Sequence, residues 1–265
     1  MDLLALLQWP YSIAGLAVGV IVGLTGVGGG SLMTPLLVLV FGVAPVTAVG
    51  TDLLCAGITK SGGAVSHGLK GHVDWRVTGL LAAGSVPAAV LALGLLAILP
   101  PADVKTRILV STSLGVMLVL TALALALRPK LLAWAKERAG RGGWLADHRA
   151  AATIAIGAFI GLAVTFSSVG AGAVGVTALL LLYPLLSTVR VVGTDIAHAV
   201  PITLVAGLGH AFLGNVNWPL LASLLVGSIP GILIGSHLTA RLPERVVRHT
   251  LAVVLLFAGG KLIGS

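Results

Sequence analysis

Apolar runs follow one another from Ser12 almost to the last residue with few charges between them, and a chain built this way has little choice of solvent. Charged residues are 9% of the 265 and hydrophobic residues 57%, whereas an average soluble domain is about 25% charged. Too little charge remains to coat a globule. A soluble globular enzyme and a disordered chain are both excluded, and the pattern is that of an all-α, polytopic membrane protein. A bilayer core of ~30 Å needs about 20 helical residues per crossing, so the chain has room for roughly ten short-looped segments and no large soluble domain.

The formal charge of +8 does not mark a nucleic-acid partner, because the basic residues occupy short gaps between apolar runs instead of one folded face. They are a topology signal. Cys55 is the one cysteine and lies inside an apolar run, which excludes a disulfide framework and a multi-cysteine metal site. The opening MDLLALLQWP has no positive n-region and no small-x-small cleavage site, so the first apolar segment is expected to be retained.

Sliding the sequence on itself by 143 positions aligns Val49-Gly50-Thr51-Asp52 with Val192-Gly193-Thr194-Asp195. At the same offset His67 meets His210, Gly71 meets Gly214, Trp75 meets Trp218, Gly84-Ser85 meets Gly227-Ser228, and Pro87 meets Pro230. A shift of one residue pairs Val27-Gly28-Gly29-Gly30 with Val169-Gly170-Ala171-Gly172. The chain reads as a tandem duplication: residues 1–127, a basic linker 128–150, and residues 151–265. Each half holds five apolar stretches. The first two of each are short and separated by a glycine-rich break, which predicts a re-entrant or half-helix pair, and the other three are full-length candidates. Pro87 and Pro230 are expected to kink or unwind their helices.

The positive-inside rule gives the orientation. The linker carries Arg128, Lys130, Lys136, Arg138, Arg141 and Arg149 and is placed in the cytoplasm. If each glycine-broken pair returns to its starting side, Lys70, Arg76, Arg190, Arg241, Arg245 and Arg248 are also inside, leaving Lys105, Arg107 and Lys261 outside. Each unit then crosses an odd net number of times, so the two copies have inverted topology. Inverted repeats around a midplane site are an architecture of secondary transporters.

The glycine breaks are the first candidate site. A half-helix beginning in one would aim unsatisfied N–H groups and a positive dipole end at the membrane centre, a setting for an anion. The substrate-lining candidates are Thr25, Gly28, Gly29, Gly30 and Ser31 in the first break, and Ser167, Ser168, Gly170, Ala171 and Gly172 in the second. Thr34 adds a hydroxyl nearby, and the breaks contain no acidic residue to repel an anion. Close helix packing through small residues is the other reading. Asp52 and Asp195 are the acidic residues inside apolar segments, either coupling a proton or cation or anchoring the starts of their helices. His67 and His210 could carry protons or make interfacial hydrogen bonds. Lys60 faces Thr203 in the other copy, and either snorkels to the surface or attracts an anion. Trp75 and Trp218 are expected to be interfacial anchors. No catalytic constellation and no metal-ligand spacing stands out, so no cofactor is expected.

At GLTGVGGGSLMTPLL, the paired VGTD and the pair GHVDW/GNVNW, the sequence resembles the sulfite exporter TauE/SafE family, also called the DUF81 or TSUP group, over almost the whole chain. The resemblance implies a multi-pass permease of the cell membrane for small anions, often sulfite, related sulfur oxyanions or organosulfonates. Lipid and a small anion are then its partners, the coupling ion and oligomeric state are open, and a facilitative anion channel is the alternative to a carrier.

Overall fold

A computed structural model describes residues 8–25, 30–99, 103–138, 148–238 and 244–264. Every regular element among them is helical: α1 Trp9–Thr25, α2 Gly30–Leu39, α3 Pro45–Leu69, α4 Trp75–Ile98, α5 Val104–Arg138, α6 Arg149–Ser167, α7 Ala173–Leu182, α8 Thr188–Phe212, α9 Trp218–Leu238 and α10 Glu244–Ile263. Five of these, α4, α5, α6, α8 and α9, are long and apolar enough to cross a membrane. Large apolar side chains such as Leu91, Ile98 and Phe257 are about three-quarters exposed, an outer surface suited to lipid.

The boundaries differ from the sequence expectation in three places. Of each short pair, only the second member is a half-helix: α2 and α7 have 10 residues each, about 15 Å or half the hydrocarbon core, whereas α6 has 19. The last helix of the first unit does not stop at residue 127, because α5 continues through Pro129 to Arg138, so the first part of the expected linker is helical. Neither Pro87 nor Pro230 unwinds its helix. Trp75 and Trp218 stand exposed at the starts of α4 and α9.

The helices pair across the two units. The first helix of each packs on the fourth of the other, α1 on α9 and α6 on α4, while α3 pairs with α8 and α5 with α10. Glycine makes the first kind of pairing close. A Cβ on Gly15 would lie 2.6 Å from the Leu224 carbonyl oxygen, and one on Gly19 would lie 2.6 Å from that of Ser228. The equivalent Gly157 and Gly161 abut the Leu81 and Ser85 carbonyls in the same way. Main chain against main chain leaves no room for a side chain, which explains the small residues as interface residues here.

The α3–α8 contact has a direction. Gly50 packs on His210, Gly57 on Thr203 and Leu204, Gly63 near Ile196, and Gly193 on His67 and His72. Positions advance along one helix as they recede along the other, so these two equivalent helices run antiparallel. Both end alike: at Gly71 (φ +69°) and Gly214 (φ +75°) the chain turns left-handed, and the next N–H groups, of His72 and Asn215, reach back to the His67 and His210 carbonyls at 2.9 and 2.8 Å.

Each turn then docks on the other unit. The Asp74 N–H donates to Thr194 Oγ1 at 2.9 Å, and the Asn217 N–H donates to Thr51 Oγ1 at 3.1 Å. The same two residues cap α4 and α9, accepting from the Val77 and Leu220 N–H groups. Arg190 adds a partly exposed ion pair to Asp74 at 3.8 Å, a surface contact of about 0–1 kcal/mol.

Two glycine substitutions separate packing from propensity. Gly161→Ala is expected to cost about 1–3 kcal/mol by overpacking against α4. Gly94→Ala, which meets open space, should be neutral or stabilise by up to about 1 kcal/mol. Thermal denaturation of the purified variants in detergent checks both; equal midpoints would contradict the close-packing account.

Candidate functional site

The second glycine break is held open by its own backbone. α6 ends at Ser168 in the left-handed region (φ +59°), and Gly170 (φ +137°) and Gly172 (φ +130°) follow in conformations that side chains resist. Ser167 is a local clip: its hydroxyl donates to the Ala163 carbonyl at 2.6 Å and accepts from the Val169 N–H at 3.1 Å. The hydroxyl facing inward is that of Ser168, which donates to Asp52 Oδ2 at 2.9 Å.

Three charged residues of the two central helices converge on this break. Asp52, buried on α3, accepts a second hydrogen bond on the same Oδ2, from Thr34 of α2 at 2.5 Å. Asp195, buried on α8, has the Gly172 N–H beside it and lies so close to the first turn of α7 that a Cβ on Gly175 would collide with its Oδ1. That oxygen is buried and has no hydrogen-bond partner among the described residues. Lys60 of α3 reaches the Ala171 carbonyl at 3.5 Å and is within electrostatic range of both carboxyls. The sequence puts no acidic residue in the breaks; the fold nevertheless brings two there. The start of α7, expected to receive a foreign anion, is met by the chain's own Asp195, whose negative charge suits a helix N-terminus.

The remaining candidates divide by location. Gly28 and Gly29 lie outside the described residues. Thr25 ends α1, Gly30 begins α2, and Ser31 is buried on the first turn of α2. Of the histidines, His210 is fully buried and its Nε2 meets the Thr165 carbonyl at 3.0 Å, so it ties α8 to α6. His67 is half-buried and lines a cavity. Lys60 does not snorkel toward a surface but points across to the second unit's break.

That cavity, about 310 Å³, lies between α1, α2, α3, α8 and α9. Asp52, Cys55, Thr59, Lys60, His67 and Ser228 form its polar side, and Val18, Val22, Met33 and Ile232 are among its apolar walls. Sequence reasoning did not single out Ser228 or Thr59. Ser228 carried a usable signal, since it repeats as Ser85 at the common offset. The two serines make equivalent contacts with unequal partners: Cys55 Sγ lies 3.5 Å from Ser228 Oγ, and His198 Nε2 lies 2.8 Å from Ser85 Oγ. Around the second contact the positions equivalent to Cys55, Lys60 and Gly63 are His198, Thr203 and Ala206, all buried. Bulkier or self-bonded residues occupy the places that, in the first unit, border the cavity.

The model of the family described as Sulfite exporter TauE/SafE matches residues 11–262. The chain is 40% identical over 252 residues to "Probable membrane transporter protein YjnA" of Bacillus subtilis (strain 168), covering 95% of this chain and 98% of that protein. It is 28% identical over 242 residues to "Probable membrane transporter protein YdhB" of the same organism, covering 91% and 94%. A "Probable membrane transporter protein" of Xylella fastidiosa (strain Temecula1 / ATCC 700964) is 27% identical over 238 residues, covering 85% and 82%. No solved structure matches the chain.

The two hydroxyl bonds to Asp52 give a double-mutant test. Thr34→Val and Ser168→Ala should each destabilise the protein by about 1.5–3 kcal/mol, the range for a hydrogen bond to a charged group. In an Asp52→Asn background each cost should shrink. Equilibrium unfolding in mixed detergent compares the wild type, the three single and the two double variants, and additive costs would mean that the hydroxyls act elsewhere.

Proposed function

The chain belongs to the sulfite exporter TauE/SafE family of membrane transporters, and from that premise we propose that it is a secondary transporter exporting small anions, sulfite or related sulfur oxyanions and organosulfonates, by alternating access between two inverted repeats. The observation that carries this reading is the antiparallel packing of the equivalent helices α3 and α8. A half-turn about an axis perpendicular to both exchanges the two units. With α3 and α8 running across the bilayer, that axis lies in the membrane plane, the relation found in inverted-repeat carriers. The basic linker then lies in the cytoplasm by the positive-inside rule.

The convergence of Asp52, Asp195 and Lys60 on an unwound break supports a transport role, since charges within a membrane mark ion pathways by default. Asp195 is the coupling carboxyl in this proposal. Its Oδ1 is buried without a partner among the described residues, whereas Asp52 is held by two hydroxyl donors and serves as the fixed counter-charge. Export also draws on the membrane potential, which favours exit of an anion from a negative cell by ~2.3 kcal/mol per charge per 100 mV.

Purified chain in liposomes loaded with sulfite, thiosulfate, sulfoacetate or sulfate should show saturable uptake and counterflow of at least one of them. Strictly electrodiffusive flux without counterflow would favour a channel instead. Asp195→Asn should keep counterflow but abolish accumulation driven by a pH gradient; undiminished gradient-driven accumulation would remove Asp195 from the coupling role.

A further inference from the structure

Lys60 is a cation without an equivalent, since its counterpart in the second unit is Thr203, whose hydroxyl is taken by the Ala199 carbonyl. Its Nζ holds one long contact, 3.5 Å to the Ala171 carbonyl, and has no carboxylate oxygen within ion-pair distance among the described residues. An ammonium has three donors, so Lys60 has donors to spare, and it stands on the wall of the ≈310 Å³ cavity. Thr59, Cys55 and Ser228 lie on the same polar side. Val18, Val22, Met33 and Ile232 add apolar surface to the same lining.

We propose that this cavity is the seat of the transported anion, that Lys60 is its counter-charge, and that the seat selects singly charged anions over doubly charged ones. The inference rests on the transporter reading and moves the substrate from the space between the two glycine breaks to one side of α3. The selection follows from a charge count. With the coupling proton on one carboxyl, Lys60, Asp52 and Asp195 sum to zero. A monoanion at Lys60 leaves the site at −1, and a dianion leaves it at −2 with an ionised carboxylate in the same cavity. Net charge is costly at membrane depth, so the second negative charge is the one excluded. The volume is roughly ten times the ~30 Å³ share of one water molecule, so an inorganic oxyanion fills only part of it and an apolar body on the anion can rest on the valine and methionine wall.

The test uses the full chain in proteoliposomes and, in parallel, calorimetric binding in detergent. The probes are methanesulfonate and benzenesulfonate as monoanions, and sulfate and thiosulfate as dianions. The monoanions should bind and exchange at least tenfold better than the dianions. Lys60→Gln should weaken monoanion binding at least tenfold, while Lys60→Arg, which keeps the charge, should retain most of it and serves as the folded control. Val22→Phe, which narrows the apolar side, should impair benzenesulfonate more than methanesulfonate. Dianions handled as well as monoanions, or Lys60→Gln binding with unchanged affinity, would overturn the proposal while leaving the transporter reading intact. Lys60-dependent binding without flux of any anion would support the seat and defeat the transporter reading. Absence of binding and flux for all four probes would overturn the seat, and the transporter reading falls with it if sulfite and sulfoacetate also show no flux.

Discussion

Inside a hydrocarbon layer a charge must find its partner within the protein, and in this chain that requirement organises the middle of the molecule. Asp52, Asp195 and Lys60 sit on α3 and α8, which pack against each other, and they are met by hydroxyls of α2 and of the second break, by a glycine N–H and by an alanine carbonyl. Unwound backbone is tolerable at membrane depth only where protein or water satisfies it. Here the break supplies donors and acceptors to the charges, and the charges in turn satisfy the break.

The closeness of the surrounding helices has the same origin in small residues. Where α1 meets α9 and α6 meets α4, glycine lets one main chain rest on another. Such contacts gain dispersion energy and shape fit without needing a hydrophobic driving force, which lipid does not provide. They join helices of different repeats, so the interface between the repeats is built as tightly as either interior. Glycine has two roles in this family member: positive-φ turns at Gly170 and Gly172, and flat packing surfaces at Gly15, Gly19, Gly157 and Gly161.

The all-helical membrane architecture was legible in the sequence because apolar composition and an offset of 143 are global signals. The matched Trp, Thr and Gly positions reappear as matched structural roles, down to the two left-handed turns at Gly71 and Gly214 and the two cross-unit threonine acceptors, whereas the matched Asp and His pairs take different partners. Helix ends were less legible: α5 runs on past Pro129, and α6 proved a full-length helix because the one-dimensional pattern does not reveal where a backbone leaves αR. The site was half legible. Its charged members and the glycine breaks were identified, but as separate candidates, since only the packing of α3 against the break between α6 and α7 brings Asp52 to Ser168 and Lys60 to Ala171. The cavity itself left no trace in the sequence beyond the inequality of Cys55 and His198, Lys60 and Thr203, Gly63 and Ala206.

The bond from the Gln8 N–H to Ser223 Oγ spans 215 positions, and it lies where α1 and α9 meet. At a synthesis rate of ~5–20 residues per second, α1 leaves the ribosome about 10–40 s before its partner exists. During that interval its glycine-lined flank faces lipid or the insertion machinery with nothing seated against it. Biogenesis of such a bundle is therefore post-insertional: the segments enter one by one, and the fold closes only when about the last fifth of the polypeptide arrives.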